Sequence, residues 1–111
     1  MPSIIRGSDN LDSAAAASLK AWANFNGTTS TIRASFNVTS VTRNGTGDYT
    51  VNFTNALADS NYAVVYGGAD SGSNMGRSQT SQSTTQFRFV CRNTNNAGAV
   101  DDTQAHIAVF R

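Results

Sequence analysis

The clearest alternation along the chain runs from residue 36 to residue 53. Phe36 and Val38 alternate with polar residues, and Tyr49, Val51 and Phe53 do so again. A period of two turns one side of a strand to a core and the other to water. Between the two runs stands Asn44-Gly45-Thr46-Gly47-Asp48. These residues favour a tight reversal, so the two runs are predicted to pair as a β-hairpin. Val41 falls out of phase with Phe36 and Val38, which predicts a bulge or a change of face. Residues 62–66, Tyr-Ala-Val-Val-Tyr, are a continuous apolar run suited to a well-covered strand. Phe87, Phe89 and Cys91 alternate once more, with Arg88 and Arg92 on the opposite face, and His106 to Phe110 supplies a final strand.

Two stretches break this pattern. Residues 67–86 hold Gly, Ser, Asn, Gln and Thr with almost nothing apolar besides Met75, and read as a long loop or a loop with weak strands. Loops of that length are usually functional or disordered. Residues 93–103 read as a second polar loop. Residues 8–20 carry a different signal. Ser8, Asp9, Asp12 and Ser13 offer helix-capping oxygens, and Ala14–Ala17 are strong helix formers. Leu11, Ala15, Leu19 and Trp22 fall at spacings of four, four and three, one stripe of a helix. A helix this short is marginal alone in water. It must pack on its own sheet, on a symmetry mate or on a larger assembly.

The pattern therefore predicts an all-β protein, a single antiparallel β-sandwich or small barrel of about six strands. An N-terminal arm and short helix (residues 1–20, assembly or anchoring) would precede the β domain (residues 21–111). No strand–helix–strand alternation is present, which argues against a parallel α/β sheet.

Composition narrows the function classes. The 111 residues carry a net charge of +1, which gives no electrostatic footprint for nucleic acid or an acidic membrane. No run of about 18 apolar residues exists, so no membrane insertion is expected, and the first residues lack the pattern of a signal peptide. One cysteine excludes an internal disulfide. Only 14% of residues are charged, against roughly 25% in typical proteins. Glu is absent, Lys20 is the single lysine, and 42 residues are Ser, Thr, Asn or Gln.

Catalytic signals are weak. His106, the only histidine, sits in a strand, and a Ser or Cys nucleophile would need it as base. Cys91 and His106 would be neighbours if their strands paired, but nothing marks a third, orienting group. Asp101 and Asp102 are adjacent in a loop, where side chains diverge, and no carboxylate spacing supports a glycosidase pair. One Cys and one His do not make a zinc site. Asp70-Ser-Gly-Ser-Asn74 lacks the spacing of a calcium loop. Ser73 stands where a phosphate-binding loop requires Lys. No catalytic residue, metal or cofactor is expected. Four Asn-x-Ser/Thr sequons, at Asn26, Asn37, Asn44 and Asn52, are about what the composition produces by chance. The candidate binding surface is instead the two polar loops, with Tyr66, Asp70, Asn74, Arg77, Gln79, Gln82 and Asn93, whose polar groups suit hydrogen bonding to sugars or a polar partner.

Three segments carry a family resemblance: Lys20-Ala-Trp-Ala-Asn-Phe-Asn-Gly27, Ile32-Arg-Ala-Ser-Phe-Asn-Val-Thr-Ser-Val41 and Asn44-Gly-Thr-Gly-Asp-Tyr-Thr-Val-Asn-Phe-Thr54. Together they resemble a β-rich domain of tailed-phage virion proteins, frequent in marine phages and cyanophages and often C-terminal in tail fibres. His106-Ile-Ala-Val-Phe-Arg111 is similar to the closing strand of that domain. The resemblance spans residues 20–66 well and 87–111 loosely, leaving the first 19 residues and the middle loop outside it. It implies a non-enzymatic structural protein on the virion surface, assembled in the host bacterial cytoplasm, commonly as a homotrimer. The chain begins at a Met with only a short arm, so a short tail appendage or capsid-decorating protein is expected rather than a long fibre. Ile4, Ile5, Leu11, Leu19 and Trp22 are the expected assembly contacts with other copies and with capsid or tail proteins. The loops would face outward, and the alternative function is binding of a host receptor or glycan. A glycan-cleaving enzyme is the weakest of the three readings.

Overall fold

Alternation resolves into two sheets. The computed structural model describes residues 18–68, 75–93 and 98–111. Eight strands are found there: β1 (Leu19–Asn26), β2 (Thr31–Phe36), β3 (Val38–Gly45), β4 (Asp48–Phe53), β5 (Ala63–Gly68), β6 (Met75–Gln82), β7 (Gln86–Asn93) and β8 (Ala105–Phe110). The first sheet has the order β2-β1-β8-β5 and the second β3-β4-β7-β6, with every neighbouring pair antiparallel. The two four-stranded sheets pack as an antiparallel sandwich.

The inward sides of the four central strands make most of the core. Ala21, Ala23 and Phe25 of β1 and Ile107 and Val109 of β8 meet Tyr49, Val51 and Phe53 of β4 and Phe87, Phe89 and Cys91 of β7. The rings of Phe25 and Tyr49 meet edge to face at 5.4 Å, and those of Tyr49 and Phe89 lie 5.5 Å apart. Such pairs add to simple area burial through ring quadrupoles. The expected hairpin forms as β3 and β4, and Gly47 at φ 69° supplies the left-handed residue in its turn. The predicted irregularity at Val41 is present as a register shift between Val38 and Ser40.

Several expectations need correction. Among the described residues there are eight strands rather than about six. Leu19 and Trp22 do not continue a helix but lie in β1, where small Ala21 and Ala23 alternate with larger outward residues. The Ala-rich composition that favours a helix also suits the crowded space between two sheets. The remainder of that predicted helix lies outside the described residues. The stretch 67–86 is not one loop: β5 runs to Gly68, β6 occupies Met75–Gln82 and β7 starts at Gln86. The run at 62–66 belongs to an edge strand, and Val65 is 57% exposed rather than well covered. Cys91 and His106 are on strands of different sheets. Cys91 is fully buried and His106 exposed, so they form no nucleophile–base pair.

Candidate functional site

Three polar arrangements fix the edges and one end of the sandwich. At one edge, Asn37 turns the chain from β2 in the first sheet to β3 in the second with a left-handed φ of 55°. Its amide Nδ2 donates to the carbonyls of Lys20 and Asn55, and its Oδ1 accepts the Asn55 N–H at 2.8 Å. At the other edge, the Tyr66 hydroxyl on β5 donates to Gln79 Oε1 on β6 at 2.8 Å. Gln79 in turn bonds Gln82, whose Nε2 donates to the carbonyls of Ser60 and Tyr62 at 2.7 Å. The structure thus joins Tyr66, Gln79 and Gln82, three of the residues expected on outward loops, and uses them to tie the two sheets together. Asp70 and Asn74 lie outside the described residues. Arg77 falls in β6 and Asn93 at the end of β7, with side chains outside the described set.

At one end, the Asp101 carboxylate accepts hydrogen bonds from four donor atoms. Arg43 donates through Nε and Nη2, the latter at 2.8 Å. The Gly47 N–H donates at 2.7 Å and the Tyr49 hydroxyl at 2.9 Å. Burial alone would push this carboxyl up, but Arg43, Gly47 and Tyr49 together outweigh it and hold Asp101 below the ordinary carboxylate range. Burial, with Asp101 beside it, raises the Tyr49 hydroxyl well above the ordinary tyrosine value. Gly27 packs so closely here that a Cβ would stand 2.5 Å from the Asp102 carbonyl and collide with the Tyr49 hydroxyl. Asp101 and Asp102, weighed from the sequence as an acid pair, are an anchor for the 98–104 segment. Asp102 turns away, and its carboxylate accepts the Gln104 N–H.

The two outward faces are unlike. On the second sheet, short polar side chains interlock. Asn52 donates to Ser40 and Thr42 across β3 and β4, and Asn44 donates to Thr50 at 2.8 Å and to Asp48. Arg88 of β7 grips Asp48 with Nε at 2.9 Å and Nη2 at 2.7 Å, and this pair holds Asp48 below its ordinary pKa. Asn37, Asn44 and Asn52 therefore spend their sequon amide N–H groups on hydrogen bonds within the fold, while Asn26 accepts the Thr28 N–H through Oδ1.

On the first sheet, the outward side carries an apolar patch toward one end, beside a polar row that includes Asn24 and His106. Trp22 is paired with Phe36 of β2 and Ala108 of β8, and Ala108 with Val65 of β5. The row Phe36–Trp22–Ala108–Val65 crosses all four strands. Beside it, Phe110 is paired with Leu19 and Ala63. The exposed large apolar residues Phe36 (50%), Val65 (57%) and Phe110 (39%) all stand on this face. Of the expected assembly contacts, Leu19 and Trp22 lie here, while Ile4, Ile5 and Leu11 fall outside the described residues. Sequence reasoning missed Phe36, Val65 and Phe110. The available signal was apolar residues at both parities over Val64–Val65 of β5 and Ala108–Phe110 of β8, which marks strand segments with cover on both sides. Among the described residues, no group of three or more His, Cys, Asp or Glu side chains is placed to hold a metal. No protein-family model, curated protein or solved structure matches this chain.

Proposed function

We propose that the protein is a non-enzymatic structural component of a bacteriophage particle, held at the virion surface as a capsid-decorating protein or short tail appendage and assembling as a homotrimer. The observation that carries this reading is the opposition of the two outward faces. A sandwich with one interlocked polar face and an apolar row across the other is oriented: it packs on one side and meets water on the other. The resemblance of residues 20–66 to tailed-phage virion domains supplies the kind of assembly. Electron cryomicroscopy of purified particles tests this. The expected result is the protein at fixed copy number on the particle surface, in three-fold groups, with its first sheet toward the particle. Particles that lack the protein would overturn the reading.

A second reading, recognition of a host receptor or glycan, is favoured by the Tyr66–Gln79–Gln82 cluster, which sets a half-buried aromatic ring beside the exposed Gln79. If it holds, Gln79→Ala lowers host adsorption at least fivefold while incorporation into particles stays constant. Unchanged adsorption would remove it.

A further inference from the structure

The apolar face of the first sheet needs an occupant. Its middle row, Phe36–Trp22–Ala108–Val65, carries no charged group, and Ala63, Leu19 and Phe110 extend it. Val64 and Val65 of β5 and Ala108, Val109 and Phe110 of β8 are apolar on both sides of their strands, the pattern of segments covered on two sides, whereas His106 farther along β8 is polar and exposed. The second sheet covers their inner side, and nothing among the described residues covers the outer one.

We propose that this face is covered by the chain's own residues 1–17. The point of attachment selects this segment. The chain enters β1 through Ser18, whose carbonyl accepts the Arg111 N–H at 2.9 Å, so the segment is tethered beside the Leu19–Phe110–Ala63 end of the face. Its length is sufficient. The face spans three interstrand steps, about 14 Å, and seventeen residues reach about 25 Å even when wound as a helix. Its composition fits, because Ile4, Ile5, Leu11 and Ala14–Ala17 supply apolar groups that cannot be stable alone in water. A tether of this kind holds its segment at an effective concentration near the millimolar range, above that of any free second copy in dilute solution. This is the state of the free chain before assembly: the segment shields the face until the particle contact proposed above takes its place.

Trp22 is the single tryptophan and stands in the middle of the row, so its fluorescence reports this face. The test is acrylamide quenching of the full chain across a hundredfold dilution, with mass measured by sedimentation in the same samples. The expected result is a Trp22 quenched several-fold less than a free indole at every concentration, including those at which the free chain sediments as a monomer. Ile5→Asp combined with Leu11→Asp in the full chain raises quenching at least twofold while the β circular dichroism is retained. A second variant, Leu11→Cys with Val65→Cys, forms an intramolecular disulfide in the monomer under mild oxidation. This arm and the dilution series stand even if the double Asp variant does not fold. Three results overturn the proposal: strong quenching of the unmodified chain, shielding that is lost on dilution together with a larger mass, or a monomer that forms no such disulfide. The second of these would assign the face to another copy of the chain.

Discussion

The outward faces of the two sheets share a backbone geometry and differ in how they treat water. On the second sheet, Asn52 reaches Ser40 and Thr42, Asn44 reaches Thr50, and Arg88 closes on Asp48, so polar atoms on three adjacent strands are joined to one another. On the first sheet, the row Phe36, Trp22, Ala108 and Val65 offers water a single polar group, the indole N–H of Trp22. This difference gives the unusual composition a physical meaning. Ser, Thr and Asn are short enough to bond across neighbouring strands at little cost in rotamer freedom, whereas Lys and Glu lose about 1.5–2 kcal/mol when immobilised. A face made this way is polar without being charged. The apolar face is the other half of the arrangement, since fully burying a Val or Phe side chain is worth about 1.5–3 kcal/mol.

The comparison assumes that both faces are held by one core and one end-anchor, and the strongest way to break it is to remove these. Tyr49→Ala empties the centre shared by Phe25, Phe89 and the Asp101 anchor. It is expected to cost about 3–5 kcal/mol, measured by urea unfolding. Loss confined to one sheet would show that the faces are not rigidly coupled. Gly27→Ala forces a Cβ against the Asp102 carbonyl and the Tyr49 hydroxyl. It is expected to cost about 1–3 kcal/mol, and full stability would contradict the close packing at that end.

Acid sharpens the comparison next. Asp48 on the polar face and Asp101 at the end-anchor are both held below their ordinary values, and Arg111, with the Asn61 N–H, lowers Asp59 to about 2. A carboxylate lowered on folding contributes stability that is complete above its ordinary pKa, near 3.9, and lost as pH falls through the folded value. Thermal stability should therefore decline below about pH 4, and Asp101→Asn should lower stability at neutral pH while flattening that decline. Burial raises Tyr62 to about 12 and Tyr49 further still, so the opposite sign holds in alkali, with stability lost as pH rises above about 10. The smallest effect belongs to the polar face itself. Asn52→Ala removes two exposed hydrogen bonds and should cost at most about 1 kcal/mol by urea unfolding. A larger loss would mean that this face carries more than surface bonds.

The hairpin of β3 and β4 was legible because its alternation is clean and its turn residues are specific, down to the irregularity at Val41. β6 was not, because Met75–Gln82 is almost entirely polar. It forms by edge pairing with β7, from Met75 opposite Asn93 to Gln82 opposite Phe87, which leaves no hydrophobic period to read. β1 was misread because Leu19 and Trp22 fit a helical stripe, while the inward alternation rests on Ala21, Ala23 and Phe25, and two small alanines give a weak signal. Trp22 was picked out as a contact residue from that wrong geometry. Its partners are Phe36 of β2 and Ala108 of β8, and Ala108 in turn pairs with Val65 of β5, so only the register brings the four into one row.

The central claim is that the first sheet's outer face is a contact face and the second sheet's is a water face. Paired charge substitutions in the full chain, scored by incorporation into purified particles, test it most directly. Val65→Asp should lower incorporation at least tenfold, and Thr42→Asp, an exposed site on the opposite face, should change it less than twofold. Equal effects, or a greater loss from Thr42→Asp, would contradict the account.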